Sequence, residues 1–309
     1  VMKHKKLIQV QAVSASQFMT LEAKYFIDAT GEGDLAFLCG ADYQLGHPEN
    51  GRTLHMSLTA MFHDTGELRE PYLPPGFAPI YSKQDLPGLH GPVKLDDNRV
   101  YANMTKVMGH DPTDPVSLSH AEAEARRQLV RIAYYVQKLH PTFALASSGH
   151  KIGIREGRRI LGEYSLTQQD IVGDTCKDFP DGIAVATSQI DFHSLTKPGH
   201  GGWRQKVLPY AIPLRALIPK GIKNLLVSGK PISGDQVAMS SYRMTPTVCA
   251  MGQAAGTAAG LAINAGLEDI RDLDISLLRE QLTTDGVELD PNKHKSFAPE
   301  VTPNPKDAE

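Results

Sequence analysis

The chain has 309 residues, 41% hydrophobic and 22% charged, with a formal net charge of −3, which is the composition of one or two globular domains with a sizeable core. The near balance of signs leaves no basic stripe for nucleic acid, and the short basic run Lys3–Lys6 reads as a solvated end. Three scattered cysteines, Cys39, Cys176 and Cys249, exclude a disulfide framework, a zinc site and a four-thiolate iron–sulfur cluster held by this chain alone, so no metal ligand is assigned.

In chain order, Leu7–Ala15 and Gln17–Tyr25 read as two strands of a small antiparallel hairpin. The apolar run Tyr25-Phe26-Ile27 follows, as expected of a strand covered on both faces, and ends in Ala29-Thr30-Gly31-Glu32-Gly33-Asp34. An insertion spans 48–208. Its early part, through Met56–Gly66, suggests strands, and a Pro- and Gly-rich surface loop covers 70–92. A helix starting at Ser117 or Ser119 runs to His140, with Ala121, Ala125, Leu129, Ile132, Val136 and Leu139 on one stripe and Pro141 ending it. Ile183–Phe192 and Ala211–Ile218 read as strands.

The most informative stretch is 221–262. It reads as a buried strand Asn224–Ser228, a glycine turn at Gly229, a polar loop, and a helix capped by Thr245 with Pro246 in its first turn. Gly252, Gly256 and Gly260 recur every four residues beside Ala255 and Ala259; glycine is costly inside a helix, so this face is expected to lie close to a strand or a flat ligand. Gln253 and Thr257 interrupt the helix's apolar character, so it does not read as a membrane span. A short helix Ile275–Leu282 and a mobile tail over 291–309 close the chain. A strand, a glycine turn and a helix N-terminus aimed at that turn is how nucleotide-type cofactors are held.

Ala23–Gly46 (AKYFIDATGEGDLAFLCGADYQLG), Gly153–Asp170 (GIREGRRILGEYSLTQQD), IPLRALIPKGIKNLLVSGK and SYRMTPTVCAMGQAAG together resemble the FAD-dependent oxidoreductase family related to the heterodisulfide-reductase flavin subunit. The resemblance implies an α/β fold: a partial FAD-binding Rossmann-like domain of the glutathione-reductase type with an inserted α+β substrate or cap domain. On this reading 1–47 is the second part of the FAD-binding domain and 48–208 the cap. Residues 209–266 supply the C-terminal strand and flavin-facing helix, and 267–309 the terminal helix and tail. The Gly-x-Gly-x-x-Gly turn that takes the ADP half of FAD is not in this sequence, and Gly31-Glu32-Gly33-Asp34-Leu35-Ala36 lacks the third glycine. The chain is therefore expected to be the C-terminal part of a longer flavoprotein, inactive in isolation, with the N-terminal segment as its partner.

The resemblance places cofactor contacts at Thr30, Gly31, Gly33, Asp34, Gly229, Lys230, Ser241, Arg243, Met244 and Thr245. The helix beginning near Thr245 would aim its positive end at the pyrimidine side of the flavin ring, where negative charge collects on reduction. For chemistry, Arg155, Glu156, Arg158 and Arg159 pack three guanidiniums and a carboxylate into five positions. They either meet the flavin or an anionic substrate group, with Arg155 and Arg158 foremost, or form an internal ion-pair network. His193 and His200 are the proton-transfer candidates, with His55 behind them and Tyr210 and Tyr242 as further choices. Trp203 is either a stacking platform or a loop anchor, and Cys249 reads as a small core residue. The expected function is hydride transfer from a small organic substrate to FAD in the cytoplasm, without nucleic acid or membrane, and with an electron-acceptor protein as a further partner. The alternatives are an electron-transfer flavin subunit working with iron–sulfur partners and a non-catalytic nucleotide-binding module.

Overall fold

The structure is a computed structural model that describes residues 1–88, 90–197 and 202–295. In chain order its main elements are the strands β1 (Gln9–Ser14), β2 (Gln17–Glu22) and β3 (Phe26–Asp28), the short helix α1 (Asp34–Leu38), and the strands β4 (Ala60–Asp64), β5 (His90–Lys94) and β6 (Arg99–Asn103). Then come the long helix α2 (Pro115–Leu139), strands β7 (Phe143–Ser148), β8 (Gly182–Ala186), β9 (Tyr210–Pro213) and β10 (Leu225–Val227), and helices α3 (Gln236–Tyr242), α4 (Thr245–Asn264) and α5 (Ile275–Thr284). The architecture is mixed α/β. The chain divides into two compact units: one from Val1–Asn50, Gly157–Asp191 and the described part of Arg204–Pro303, the other from Gly51–Glu156 and Phe192–Trp203. Gly157–Asp191, which the expected insertion takes in, thus belongs to the first unit.

In the first unit β1 and β2 form the expected hairpin, in register from Gln9 opposite Glu22 to Ser14 opposite Gln17. The key pair is parallel: β3 and β10 align Phe26 with Leu225, Ile27 with Leu226 and Asp28 with Val227. Asn224–Ser228 is buried throughout, as its apolar run requires, but Ile27 is 38% exposed, so β3 is covered on one face only. Helix α4 packs on β8 and β3 through Met251, Ala254, Ala255, Ala258, Ala259 and Ala262. The glycine stripe does not make that contact. At 100° per residue, Gly256 and Gly260 fall on the far side, and a Cβ at either would meet nothing within 4 Å; Gly252, also exposed, stands at the edge of the packed face, where a Cβ would lie 3.9 Å from the Ser228 hydroxyl. Met244, not Thr245, is the N-cap of α4; Thr245 and Pro246 occupy the first turn, and no side chain caps it. The expected polar loop before it contains a helix, α3, whose cap Asp235 accepts a hydrogen bond from the Ala238 amide (2.7 Å).

The second unit is a four-stranded antiparallel sheet, ordered β7-β4-β6-β5, with α2 packed on β7. Helix α2 begins at Pro115, earlier than the serines suggested, because Asp114 caps it by accepting from the Ser117 amide (2.7 Å). The stripe from Ala121 to Val136 is buried against Phe62, Ile80 and Ala102, whereas Leu139, in the last turn, is 57% exposed. Ile80 and Leu86 also enter this core, so the Pro- and Gly-rich segment is partly interior rather than wholly surface. The expected strand over 183–192 is interrupted between β8 and Ile190–His193, and the one over 211–218 ends at Pro213 in a 3-10 turn. His200 and the tail beyond Lys295 lie outside the described residues.

Candidate functional site

The parallel strands β3 and β10 end side by side, and ligands in open α/β folds bind beyond such carboxyl ends. Asp28, the buried last residue of β3, organises the turn that follows. Its Oδ1 accepts from the Thr30 amide (3.0 Å) and hydroxyl (2.7 Å), and its Oδ2 from the Ala36 amide (2.8 Å). Thr30 Oγ in turn accepts from the Asp34 amide (2.9 Å), so Thr30 is engaged within the turn. Gly31 and Gly33 take φ of +90° and +67°, which L side chains rarely adopt. Across from them Gly229 has φ +101°, and a Cβ there would lie 3.6 Å from Val248 in the second turn of α4. The glycine turns and the start of that helix therefore adjoin.

Two residues cross-link the turns. Lys230 Nζ donates to Glu32 Oε1 (2.7 Å), while Glu32 Oε2 is buried without a hydrogen-bond partner. Burial raises the Glu32 carboxyl above its usual range, a shift that Lys230 opposes. A Cβ on Gly157 would collide with that same oxygen, so glycine at 157 is what admits the carboxylate. Arg158 donates to Asp34 Oδ1 (2.7 Å) and the Glu32 carbonyl (3.2 Å), and its guanidinium sits 4.2 Å from the Phe37 ring centre and 5.6 Å from that of Tyr43. The fully buried Arg159 donates instead to the carbonyls of Gly234 (3.1 Å) and Gly46 (2.9 Å), which is a scaffold role.

Other expected residues of the first unit are placed differently. Ser241 lies on α3, not on a loop. It is fully buried, donating to the Ser188 carbonyl (2.5 Å) and accepting from Tyr210 (2.8 Å). Burial pushes the Tyr210 phenol far upward, which makes it a poor proton acceptor at neutral pH. Tyr242 donates to the Ile232 carbonyl (3.1 Å). Arg243 closes α3 and reaches Asp191, donating to its carbonyl (3.3 Å) at 3.6 Å from Oδ2, and Arg204 holds Oδ1 (2.8 Å). Cys249 is exposed rather than a core residue.

Arg155 and His193 belong to the second unit. There three extended segments run side by side. Met56 exchanges both backbone bonds with Val107 (2.9 Å each), and Ser57 does so with Gly153 (3.1 and 2.8 Å). Side chains alternate across such a ribbon. Met56, Leu58, Val107 and Ile152 enter the apolar core, leaving His55, Ser57, Lys106 and Arg155 to the opposite face. Arg155 donates to the His55 carbonyl (3.1 Å), the His55 and His193 rings meet edge-to-face at 4.5 Å, and Lys106 Nζ donates to the Lys197 carbonyl (2.6 Å). Burial, and then the Arg155 charge, push the Lys106 ammonium down to about 8. Trp203 is buried in a stack with Phe192 at 5.5 Å, which is an anchor's position. The sequence reading missed Asp28, Glu32, Ser57 and Lys106. The alternation Leu54-His55-Met56-Ser57-Leu58 was the visible signal for Ser57.

Among the described residues no helix is long and apolar enough to cross a membrane. Neither the curated proteins nor the solved structures contain a match to the chain. The sequence profile described as FAD dependent oxidoreductase matches residues 1–282. On that match, and with these glycine turns at the ends of parallel strands, the chain belongs to the FAD dependent oxidoreductase family, whose cofactor is FAD.

Proposed function

We propose that the chain supplies the flavin-facing part of an enzyme that oxidises a small organic substrate by hydride transfer to FAD. On this reading the first unit is a glutathione-reductase-type FAD-binding domain and the second its inserted substrate domain. The residues present fit the group. Three positive-φ glycines leave the turns beyond β3 and β10 without side chains, and the buried, unpartnered Glu32 Oε2 suits a hydroxyl donor such as those of a ribityl chain. Lys230 beside it suits the phosphate end of such a chain, and the uncapped first turn of α4 offers backbone N–H groups and the positive helix end to an anionic ring.

When bound, the flavin supplies the two-electron acceptor chemistry. This chain's residues do the rest. Asp28 and Thr30 fix the glycine turn, Arg158 holds Asp34 over it, and the Asp191–Arg243 contact sets the residue before Met244. A proton leaving the substrate needs an acceptor, and an imidazole of the His55–His193 pair is the candidate in the second unit. An electron acceptor outside this chain completes the cycle. The observation that carries the reading is the glycine-lined end of the β3/β10 pair with the Lys230–Glu32 bridge. The protein purified from its natural source is expected to release one FAD per chain on denaturation, identified by chromatography and its visible spectrum. A colourless protein overturns the reading.

A further inference from the structure

The bridge between Lys230 and Glu32 engages the same groups that the flavin reading assigns to the cofactor. Lys230 Nζ donates to Glu32 Oε1 (2.7 Å) and lies over the first glycine turn, since a Cβ on Gly31 would stand 3.4 Å from it. That bond uses one of the three donors an ammonium carries. Glu32 Oε2 is buried without a hydrogen-bond partner, and among the described residues Lys230 is the one cation bonded to this carboxylate. The other charged groups around it are Asp34 and Arg158, and these are joined to each other: Arg158 donates to Asp34 Oδ1 (2.7 Å) and reaches Glu32 only at its backbone carbonyl (3.2 Å). A carboxylate serving the fold alone gains from having both oxygens bonded, because a buried polar atom left unpaired costs about 1–3 kcal/mol. The buried, half-satisfied pair at the mouth of the glycine turns is the arrangement of a contact with a second partner.

We propose that this bridge is an exchangeable strap across the glycine turns: a phosphate group of the arriving cofactor takes the Lys230 ammonium, and the Glu32 carboxylate so released takes up one proton from solvent. A phosphate oxygen and a carboxylate oxygen make charge-assisted bonds of the same kind to an ammonium, so the exchange trades like for like. Once Lys230 turns to the phosphate, an ionised Glu32 is a buried carboxylate beside a second anion, with Arg158 already committed to Asp34. The protonated carboxyl fits those neighbours better. It donates its O–H to a phosphate oxygen and keeps the other oxygen to accept from a ribityl hydroxyl. Burial already disfavours the ionised form against the pull of Lys230, and withdrawing that pull completes the change. The proposal rests on the flavin reading and adds to it a proton that travels with the cofactor.

The test uses the flavin-bearing protein, stripped of its flavin and titrated with FAD by calorimetry at pH 6.0 and 7.5. Each titration is run in two buffers of different ionisation enthalpy, which gives the protons taken up per FAD bound. A ligand that brings a proton with it binds more tightly as pH falls, so the parent is expected to take up a large fraction of one proton and to gain about three- to tenfold in affinity from pH 7.5 to 6.0. Glu32→Gln keeps the shape and a hydrogen bond to Lys230, and is expected to bind FAD with neither proton uptake nor pH dependence. The double variant Lys230→Met with Glu32→Gln removes both charges together and is expected to bind more weakly than the parent, again without a proton. Binding by the parent with no proton uptake, or equal uptake in Glu32→Gln, overturns the strap and leaves the flavin reading standing. Failure of the parent to bind FAD at all overturns the flavin reading and the strap with it, so the isotherm tells the two failures apart.

Discussion

Lys230 and Glu32 stand 198 positions apart in sequence and meet at 2.7 Å, joining the turns that follow the two parallel strands. Their side chains are 18% and 15% exposed, so the pair is largely shielded from water. Removing one partner strands the other. Lys230→Met is expected to lose about 3–5 kcal/mol at neutral pH. A carboxyl whose folded pKa is raised contributes stability below its unfolded pKa and loses it as pH rises through the folded value. The loss in Lys230→Met therefore shrinks as pH falls toward 4, and adding Glu32→Gln restores much of it. Denaturant curves for the single and double variants at two pH values check this, and a pH-independent loss contradicts it.

Lys106 gives the opposite slope. Its folded pKa is held down to about 8 against 10.5, so between those values the unfolded chain binds more protons than the folded one. Stability is expected to rise with pH across that window, and Lys106→Met is expected to abolish the rise. Melting temperatures from pH 7.5 to 10 on both proteins decide it.

Arg155 and Arg158 are expected to separate. Arg158→Ala removes a buried guanidinium that bonds Asp34 and stacks on Phe37, at a cost of about 2–3 kcal/mol. Arg155→Ala is expected to change stability less while impairing turnover of the flavin-bearing protein more. The reverse order, from melting and turnover on the same samples, makes Arg155 a structural residue.

Gly256→Ala and Gly260→Ala meet no atom within 4 Å of the added carbon. Each is expected to stabilise the chain by about 0.5–1 kcal/mol through helix propensity. A loss of stability would show that another surface covers this side of α4.

Arg243→Ala, in the flavin-bearing protein, is expected to weaken flavin retention, since Arg243 fixes the entry to α4 through Asp191. Arg204 still holds Asp191, so the fold survives. Unchanged flavin content after dialysis shows that this entry does not shape the cofactor site.

The strands β3 and β10, the hairpin and α2 were legible because their apolar runs, alternation and 3.6-residue period are local signals. The burial of α4 was misread because a regular glycine stripe suggests close contact, whereas the alanines supply it. Helix α3 was hidden by its serines and glutamine, which favour loops unless tertiary packing buries them, as it does here. The candidate site was legible at Gly31, Gly33 and Gly229, where turn geometry demands glycine. Glu32 and Lys106 were not, because their roles depend on partners distant in sequence: Lys230 for Glu32, and Arg155 and Lys197 for Lys106.

Asp28 has a consequence for kinetics. One carboxylate accepts three hydrogen bonds from Thr30 and Ala36, so the glycine turn holds its shape through bonds internal to the chain. A cofactor arriving at such a turn finds it already ordered, and association is not slowed by a loop that must first search for its bound form. Loosening that carboxylate would move the ordering entropy from the folding reaction to the binding one.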